Sequence, residues 1–501
     1  MGAADRMRWS RRLAFACLAA AACDRSNVSP GEKLARTYCS ACHEFPEPKL
    51  LDKRAWEQGV LPQMAPRVGV SATSLAAVMS RSPYMPVLGA RVSSEDWGKI
   101  VEYFRDNAPD SLPYQSLPAE PGIDPPFFAV SALSPTLRSS GVITLLKVDS
   151  SHRRIFIGEA GSNTLRVLDW NRRLVASLRL ESAPTDLIVD HDRVLVLESG
   201  ILDPNDEAKG TLREYALSAH DSLELRSTLI DSLFRPVSVQ RVPLDGTGRP
   251  GFIICEFGNN RGRLAYYSSD GSHYVRHVLD ATPGAIRVEL HDMNADGHPD
   301  IVALFGQGDE RIVVYQNDGT GNFTTPRILA RFPPVYGSMF FSMRDFNGDG
   351  KLDILYVNGD NFDYSRVLKP YHGVRILEND GSGSFRERYF FPVYGAARAE
   401  VADFDGDGRP DILVTSNFAD FNRHPERGIV FLRNAGAYQF RPYAFSIAAT
   451  NQWNLTATAD LDGDGRPDVL VGAMDLRNIG YLQRGSGAPA VNNPILLFEN
   501  K

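Results

Sequence analysis

Two sets of residues in this 501-residue chain have the types and spacing to do chemistry. One is "TYCSACHEF" (37–45), where Cys39 and Cys42 stand three apart and His43 follows at once. Thiols at that spacing reach the two vinyl groups of a haem, and the adjacent histidine then presents its ring to the iron. A redox dithiol would call for a βαβ context, and a zinc site for a second ligand pair; the sequence offers neither. The other set is a loop repeated four times: "DMNADGHPDI" (292–301), "DFNGDGKLDI" (345–354), "DFDGDGRPDI" (403–412) and "DLDGDGRPDV" (460–469). Positions 1, 3 and 5 supply oxygens, a glycine at 6 permits a sharp turn, and an aspartate closes at 9, an arrangement for a hard cation such as calcium. The ligand candidates are Asp292, Asn294, Asp296 and Asp300; Asp345, Asn347, Asp349 and Asp353; Asp403, Asp405, Asp407 and Asp411; and Asp460, Asp462, Asp464 and Asp468.

The elements around these loops are strands. An EF-hand needs a glutamate at position 12 and flanking helices, whereas position 9 here runs into "DILV" or "DIVAL", β-branched runs of buried-strand type. The first strand residues Val469, Ile412, Ile354 and Ile301 are 57, 58 and 53 residues apart, and Phe252 of "LDGTGRPGFIICEF" precedes Ile301 by 49. That upstream loop keeps Asp245 but has Pro243, Thr247 and Gly251 at other ligand positions, so no metal is expected there. Weaker matches at Val194 and Ile155 bring the count to seven units of propeller-blade size. The chain stops at "ILLFENK", which matches a third strand; "PFFAVSAL" (126–133) is the candidate for the missing outer strand that closes the ring.

The Cys39–Cys42–His43 loop has helical flanks. Ser29, Pro30 and Glu32 form an N-terminal capping pattern before it. A Ser93/Asp96 box opens "SSEDWGKIVEYFRDNAP", with Trp97, Ile100, Val101 and Phe104 at helical spacing. Two helices bracketing such a loop suit a class I cytochrome c domain. The expected architecture is therefore a small all-α cytochrome c domain (23–108), a proline-rich extended linker (109–126) and an all-β seven-bladed propeller (127–501). A thioether is the expected sixth ligand: Met64, Met79 and Met85 are candidates, with Met64 first and Met85 as the alternative.

Net charge is −7, with no basic surface of the kind nucleic acid requires. Arg6, Arg8, Arg11 and Arg12 precede the apolar run "LAFACLAAAA" (13–22), which reads as an export signal over 1–22. "AAAC" resembles the lipobox of bacterial lipoproteins, and that resemblance implies cleavage before Cys23 and its acylation, although alanine stands three residues before the cysteine. Of five cysteines, Cys255 lies in an apolar run and is expected to be a buried hydrophobe.

The repeats resemble FG-GAP/VCBS repeats of integrin-type propellers over about 130–501. With the Cys39–Cys42–His43 segment and the "W…VLPxM" stretch ending at Met64, the chain resembles bacterial cytochrome c–FG-GAP fusion proteins. The resemblance implies haem c, about four calcium ions and a place in the cell envelope. Loops on the face opposite the calcium hairpins (358–373, 416–428, 472–493) are expected to bring Asp360, Asp363, Tyr364, Lys369, His372, Asp420, Arg423, His424, Asp475, Arg477 and Tyr481 to one rim. Three functions remain open: electron transfer with the propeller docking a redox partner; oxidation of a small molecule or sugar at the rim, with His372 as base and Asp360 or Asp363 orienting it; and adhesion or carbohydrate binding with an accessory haem.

Overall fold

A computed structural model describes residues 28–70, 91–134, 137–217, 222–360, 365–475, 478 and 491–501. Met79, Met85, Asp363, Tyr364, Arg477, Tyr481, Cys17, Cys23 and the arginines of 1–22 lie outside them.

The second strand of every unit explains the rest of the propeller. Asp300–Phe305, Asp353–Asn358, Asp411–Ser416 and Asp468–Ala473 are buried along their whole length. Both faces must therefore pack, and successive side chains point opposite ways. Ile301, Ala303 and Phe305 join the core shared with the preceding unit, and Val302 and Leu304 the core shared with the next. Continuous apolar runs thus create radial sheets with a core between each neighbouring pair. Seven sheets result, each with at least four strands, and their first strands touch in a closed circuit around one axis. We number the blades one to seven from Ile143. In blade seven the outer strand is Phe128–Ala132, antiparallel to Ile495–Asn500 with Phe128 opposite Asn500, as the sequence pattern anticipates. Blade six gains a strand that the sequence did not announce: Gly122–Ile123 adds in parallel to its outer strand.

Blades one to three share a device at the opposite end from their first hairpins. Their second strands end in Glu159, Glu198 and Glu256, all buried. These carboxylates accept the backbone N–H groups of Ser140, of Glu181 and Ser182, and of Phe234, on the segments leading into each blade. Blades four to seven end the same strand in Phe305, Asn358, Ser416 and Ala473.

The N-terminal segment folds as a helical unit. Helix α1 (Pro30–Cys39) is capped by Ser29, whose hydroxyl accepts the Glu32 N–H at 3.1 Å. A π-helical turn (Ala55–Val60) leads into α2 (Leu61–Met64), and α3 (Ser94–Asn107) starts at the Ser93 cap. Helices α1 and α3 cross at Gly31, where a Cβ would lie 2.4 Å from the Lys99 carbonyl. Trp56, Ile100 and Phe104 fill the centre. The linker is extended but does not hang free. Gln115 donates its backbone N–H to the Tyr394 hydroxyl, and Tyr114 bonds Asp420 at 2.9 Å, so this segment is sewn across blades five and six. No helix among the described residues is long and apolar enough to cross a membrane.

Candidate functional site

Cys39 closes α1, and Cys42 and His43 follow in the turn after it. Both cysteines are free thiols and, with His43, half-buried. Burial, with Cys42 adding, pushes the Cys39 thiol up to about 12. Such a thiol supplies almost no thiolate, which disfavours dithiol exchange chemistry. The His43 ring places Nδ1 2.8 Å from the Glu44 carbonyl. Nδ1 therefore carries the proton and Nε2 keeps its lone pair, the tautomer a metal ligand needs. Desolvation lowers the His43 pKa and keeps the ring neutral. Met64 is half-buried and packs on the same helical core as Cys39. This donor set fits haem c.

The helical unit rests on the propeller end opposite the repeated acidic loops. Val335, Val367 and Tyr371 enter its core. The Tyr371 hydroxyl donates to the Leu50 carbonyl at 3.0 Å, and Arg67 reaches Asn260. Asp309 and Arg331 of blade four act electrostatically on both His43 and Glu44.

This placement corrects the expected open rim. Lys369, His372, Asp420 and Asp475 are buried. Gln115 of the linker donates its side-chain amide to the His372 carbonyl at 2.9 Å, closing over that segment. The His372 Nε2 has no hydrogen-bond partner among the described residues, and burial, then Lys369 and Arg375, hold the pKa of this ring well below its ordinary value. Besides burial, the charges that lower the His372 pKa are those of Lys369 and Arg375; Asp363, the alternative orienting residue, lies outside the described residues. Asp420 and His424 lie apart, along Tyr114 of the linker, where His424 faces Glu426 at 3.1 Å and Arg423 is exposed over the Tyr114 ring.

The four acidic loops connect the first and second strands of blades four to seven. Their position-6 glycines, Gly297, Gly350, Gly408 and Gly465, have φ between 81° and 87°, a region that a side chain would strain. Asp403, Asp405 and Asp411 bring carboxylate oxygens within 4.8 Å of one another in blade six, as do Asp460, Asp462 and Asp464 in blade seven. Blades four and five use Asn294 and Asn347 at position 3, whose amide oxygens are neutral donors. Burial, reinforced by Asp405 and Asp407, pushes the Asp411 carboxyl up to about 7. A bound divalent cation would relieve that mutual repulsion.

Position 9 has a structural duty as well. Asp300, Asp353, Asp411 and Asp468 each accept the position-2 backbone N–H on one oxygen. The other oxygen takes the N–H of an asparagine at or near the end of the third strand: Asn317, Asn379, Asn434 or Asn500. In the first three of these blades that side chain also reaches a position-8 carbonyl, and Asn500 instead binds the Phe404 carbonyl of blade six. The sequence reading passed over these asparagines, although "YQNDG", "LENDG", "LRNAG" and "FENK" repeat them in register. Blade three replaces the device. A Cβ on Gly251 would lie 2.8 Å from the Tyr266 hydroxyl, and that hydroxyl takes the Leu244 N–H instead.

Residues 292–356 and 357–414 match the family model of the FG-GAP-like repeat, and 397–432 and 453–484 that of the FG-GAP repeat. The chain carries FG-GAP repeats. It is similar to integrin alpha-V of Gallus gallus, 28% identical over 204 residues that cover 36% of this chain and 19% of the relative. The chain thus spans about a fifth of the length of that curated relative. Among solved structures it is similar to the Dos1 propeller, with a TM-score of 0.43, 10% identity and coverage of 71% of this chain and 76% of the other. A luciferin-regenerating enzyme gives a TM-score of 0.37 at 12% identity, covering 58% and 88%. FG-GAP repeats typically bind calcium, in keeping with the aspartate groups of blades six and seven.

Proposed function

We propose that this is an exported electron-transfer protein whose helical unit (23–108) holds one haem c and whose calcium-pinned propeller (127–501) docks a redox partner or binds a small-molecule or carbohydrate ligand. The observation that carries the reading is the pair of free thiols followed by a histidine whose Nδ1 is committed to a backbone carbonyl. Cys39 and Cys42 would anchor the group through thioethers, His43 would ligate it through Nε2, and Met64, or Met85, would take the sixth position. Bound there, haem supplies one-electron transfer. The chain does the rest. The core that holds Trp56 and Phe104 packs against Cys39 and Phe45 of the loop, and the Glu44 carbonyl fixes the orientation of the His43 ring. Tyr371 ties the unit to blade five, so the loop keeps one position relative to the propeller.

Export rests on the 1–22 signal pattern and on the likeness to integrin-type repeats; Cys23 would be the lipid anchor in the cell envelope. The four acidic loops would each take one calcium. The oxidoreductase reading is weaker, because its proposed base, His372, lies beneath the linker with cations around it. Maturation of the full chain in a host that attaches c-type haem tests the proposal. Covalent haem that survives denaturing electrophoresis, and is lost in a Cys39→Ser/Cys42→Ser variant, is the expected result. A matured protein without covalent haem would refute it.

A further inference from the structure

The innermost strands meet around the axis in register. In each blade one residue follows the bulge after the first ladder pair: Asp186 opposite Leu197, Ser238 opposite Cys255, Arg287 opposite Leu304, Phe340 opposite Val357 and Arg398 opposite Thr415. Leu145 and Leu455 complete this ring in blades one and seven. Two arginines therefore stand at one level of the propeller axis, flanking a phenylalanine. Both guanidinium carbons lie over the Phe340 ring, at 4.7 Å and 5.2 Å.

The other polar side chains of the ring each have a partner, although the Nε of Arg287 makes no hydrogen bond to a described residue. Asp186 accepts the Val239 N–H at 3.0 Å and pairs with Lys147 at 3.2 Å. Arg287 donates Nη2 to Glu289 at 3.0 Å. Arg398 is different. Its side chain donates no hydrogen bond to any described residue, and its nearest carboxylate oxygen, on Glu400, is 4.0 Å away. That oxygen already accepts the Thr456 hydroxyl at 2.6 Å. A guanidinium drawn out of bulk water normally finds a carboxylate or an equivalent acceptor. Here the strongest neighbour besides burial is the like charge of Arg287, which helps to hold Arg398 below the usual arginine range.

Solvent still reaches this level. The side chains of Arg398 and Arg287 are 31% and 29% exposed, and that of Lys147, one layer further along the axis, 46%. The shielded atoms are the Nε groups; the terminal nitrogens of Arg398 are the exposed fork, with the spacing that matches two oxygens of one oxyanion.

We propose that the axial ring of Asp186, Ser238, Arg287, Phe340 and Arg398 is a binding site for a small oxyanion, held on the Arg398 fork with Arg287 beside it. The ligand class is a carboxylate or a tetrahedral oxyanion. Asp186 on the far side of the ring favours a ligand that presents its anionic group toward Arg398 and a neutral or cationic part toward Asp186. The site is separate from the acidic hairpins and from the thiol–histidine loop, so it stands or falls without the haem.

The test is thermal unfolding of the full chain at constant ionic strength, with chloride replaced stepwise by acetate, succinate or sulfate. A saturable rise in unfolding temperature with at least one of the three is expected; response to carboxylates alone or to sulfate alone assigns the class. Arg398→Met should abolish that rise, while Arg276→Met, an exposed arginine on the outer strand of blade three, should leave it intact. In chloride alone, Arg398→Met should unfold at or above the wild-type temperature, because it removes a charge that lacks a partner. Absence of a saturable response in wild type, or an unchanged response in Arg398→Met, would overturn the proposal. So would a marked loss of stability of Arg398→Met in chloride, which would mean that the protein already pairs this charge.

Discussion

Phe128→Ala probes whether the ring is closed by the strand that precedes blade one. Phe128 begins the outer strand of blade seven opposite Asn500 and is 6% exposed. Its ring packs edge-on against Phe431 at 5.2 Å, Phe404 at 5.7 Å and Phe498 at 5.9 Å, in the core between blades six and seven. Truncation there forfeits the buried ring and leaves a cavity, a cost of about 3–5 kcal/mol. If roughly 375 residues of propeller unfold together, their unfolding entropy of about 0.8 kcal/mol per kelvin turns that cost into a drop of about 4–6 °C. Scanning calorimetry in calcium reads it directly. Val278→Ala, on the outer strand of blade three and 48% exposed, is the control, with a shift within about 1 °C. If Phe128→Ala melts with the control, the N-terminal strand contributes nothing to closure and the argument for a ring sealed by its two chain ends fails.

Chelation of calcium should lower the unfolding temperature, and the size of the effect should depend on pH. In the calcium-free fold Asp411 holds its proton up to about pH 7, well above an unfolded aspartate. The calcium-free protein therefore loses stability as pH rises from the ordinary carboxylate range through about 7. The ion binds the deprotonated form, so its affinity should rise over the same interval; titration calorimetry in two buffers at pH 6 should detect proton release that Asp411→Asn reduces, and equal heats in both buffers would contradict this. Tyr371→Phe should loosen the helical unit by about 1–2 kcal/mol, since the hydroxyl that serves the Leu50 and Val335 carbonyls is lost. Faster hydrogen exchange over residues 48–56 with the propeller core unchanged is the expected signature; uniform exchange rates would show that this bond does not hold the two parts together.

What could be read from the sequence was what neighbouring residues determine. The Ser29 and Ser93 caps, the φ-positive glycines of the hairpins and the start of each second strand follow from a few adjacent positions. The closure of blade seven was also legible, because "ILLFENK" matches a third strand with no outer strand after it and the apolar run at 126–133 precedes the first blade. The identities of the partners across long separations were not. Nothing local says that Gln115 will cover His372, 257 residues further along, or that Lys369 and Asp475 will be buried rather than displayed. The asparagines on the third strands lie between these extremes: their repetition was visible, but their meaning depends on the aspartate that each one meets across the sheet.

The two stapling devices divide the propeller by position and by end. Blades four to seven are pinned at their first hairpins by carboxylates that suit calcium, and blades one to three at the other end by Glu159, Glu198 and Glu256, which need no ion. The helical unit docks on the end away from the acidic loops, through Asn260, Val335 and Tyr371. Loss of calcium therefore acts on the far end of the later blades and spares the contacts that hold the Cys39–Cys42–His43 loop in place. In physical terms, cations bound there would stabilise the scaffold, whereas the thiol–histidine loop rests on packing and hydrogen bonds at the other end.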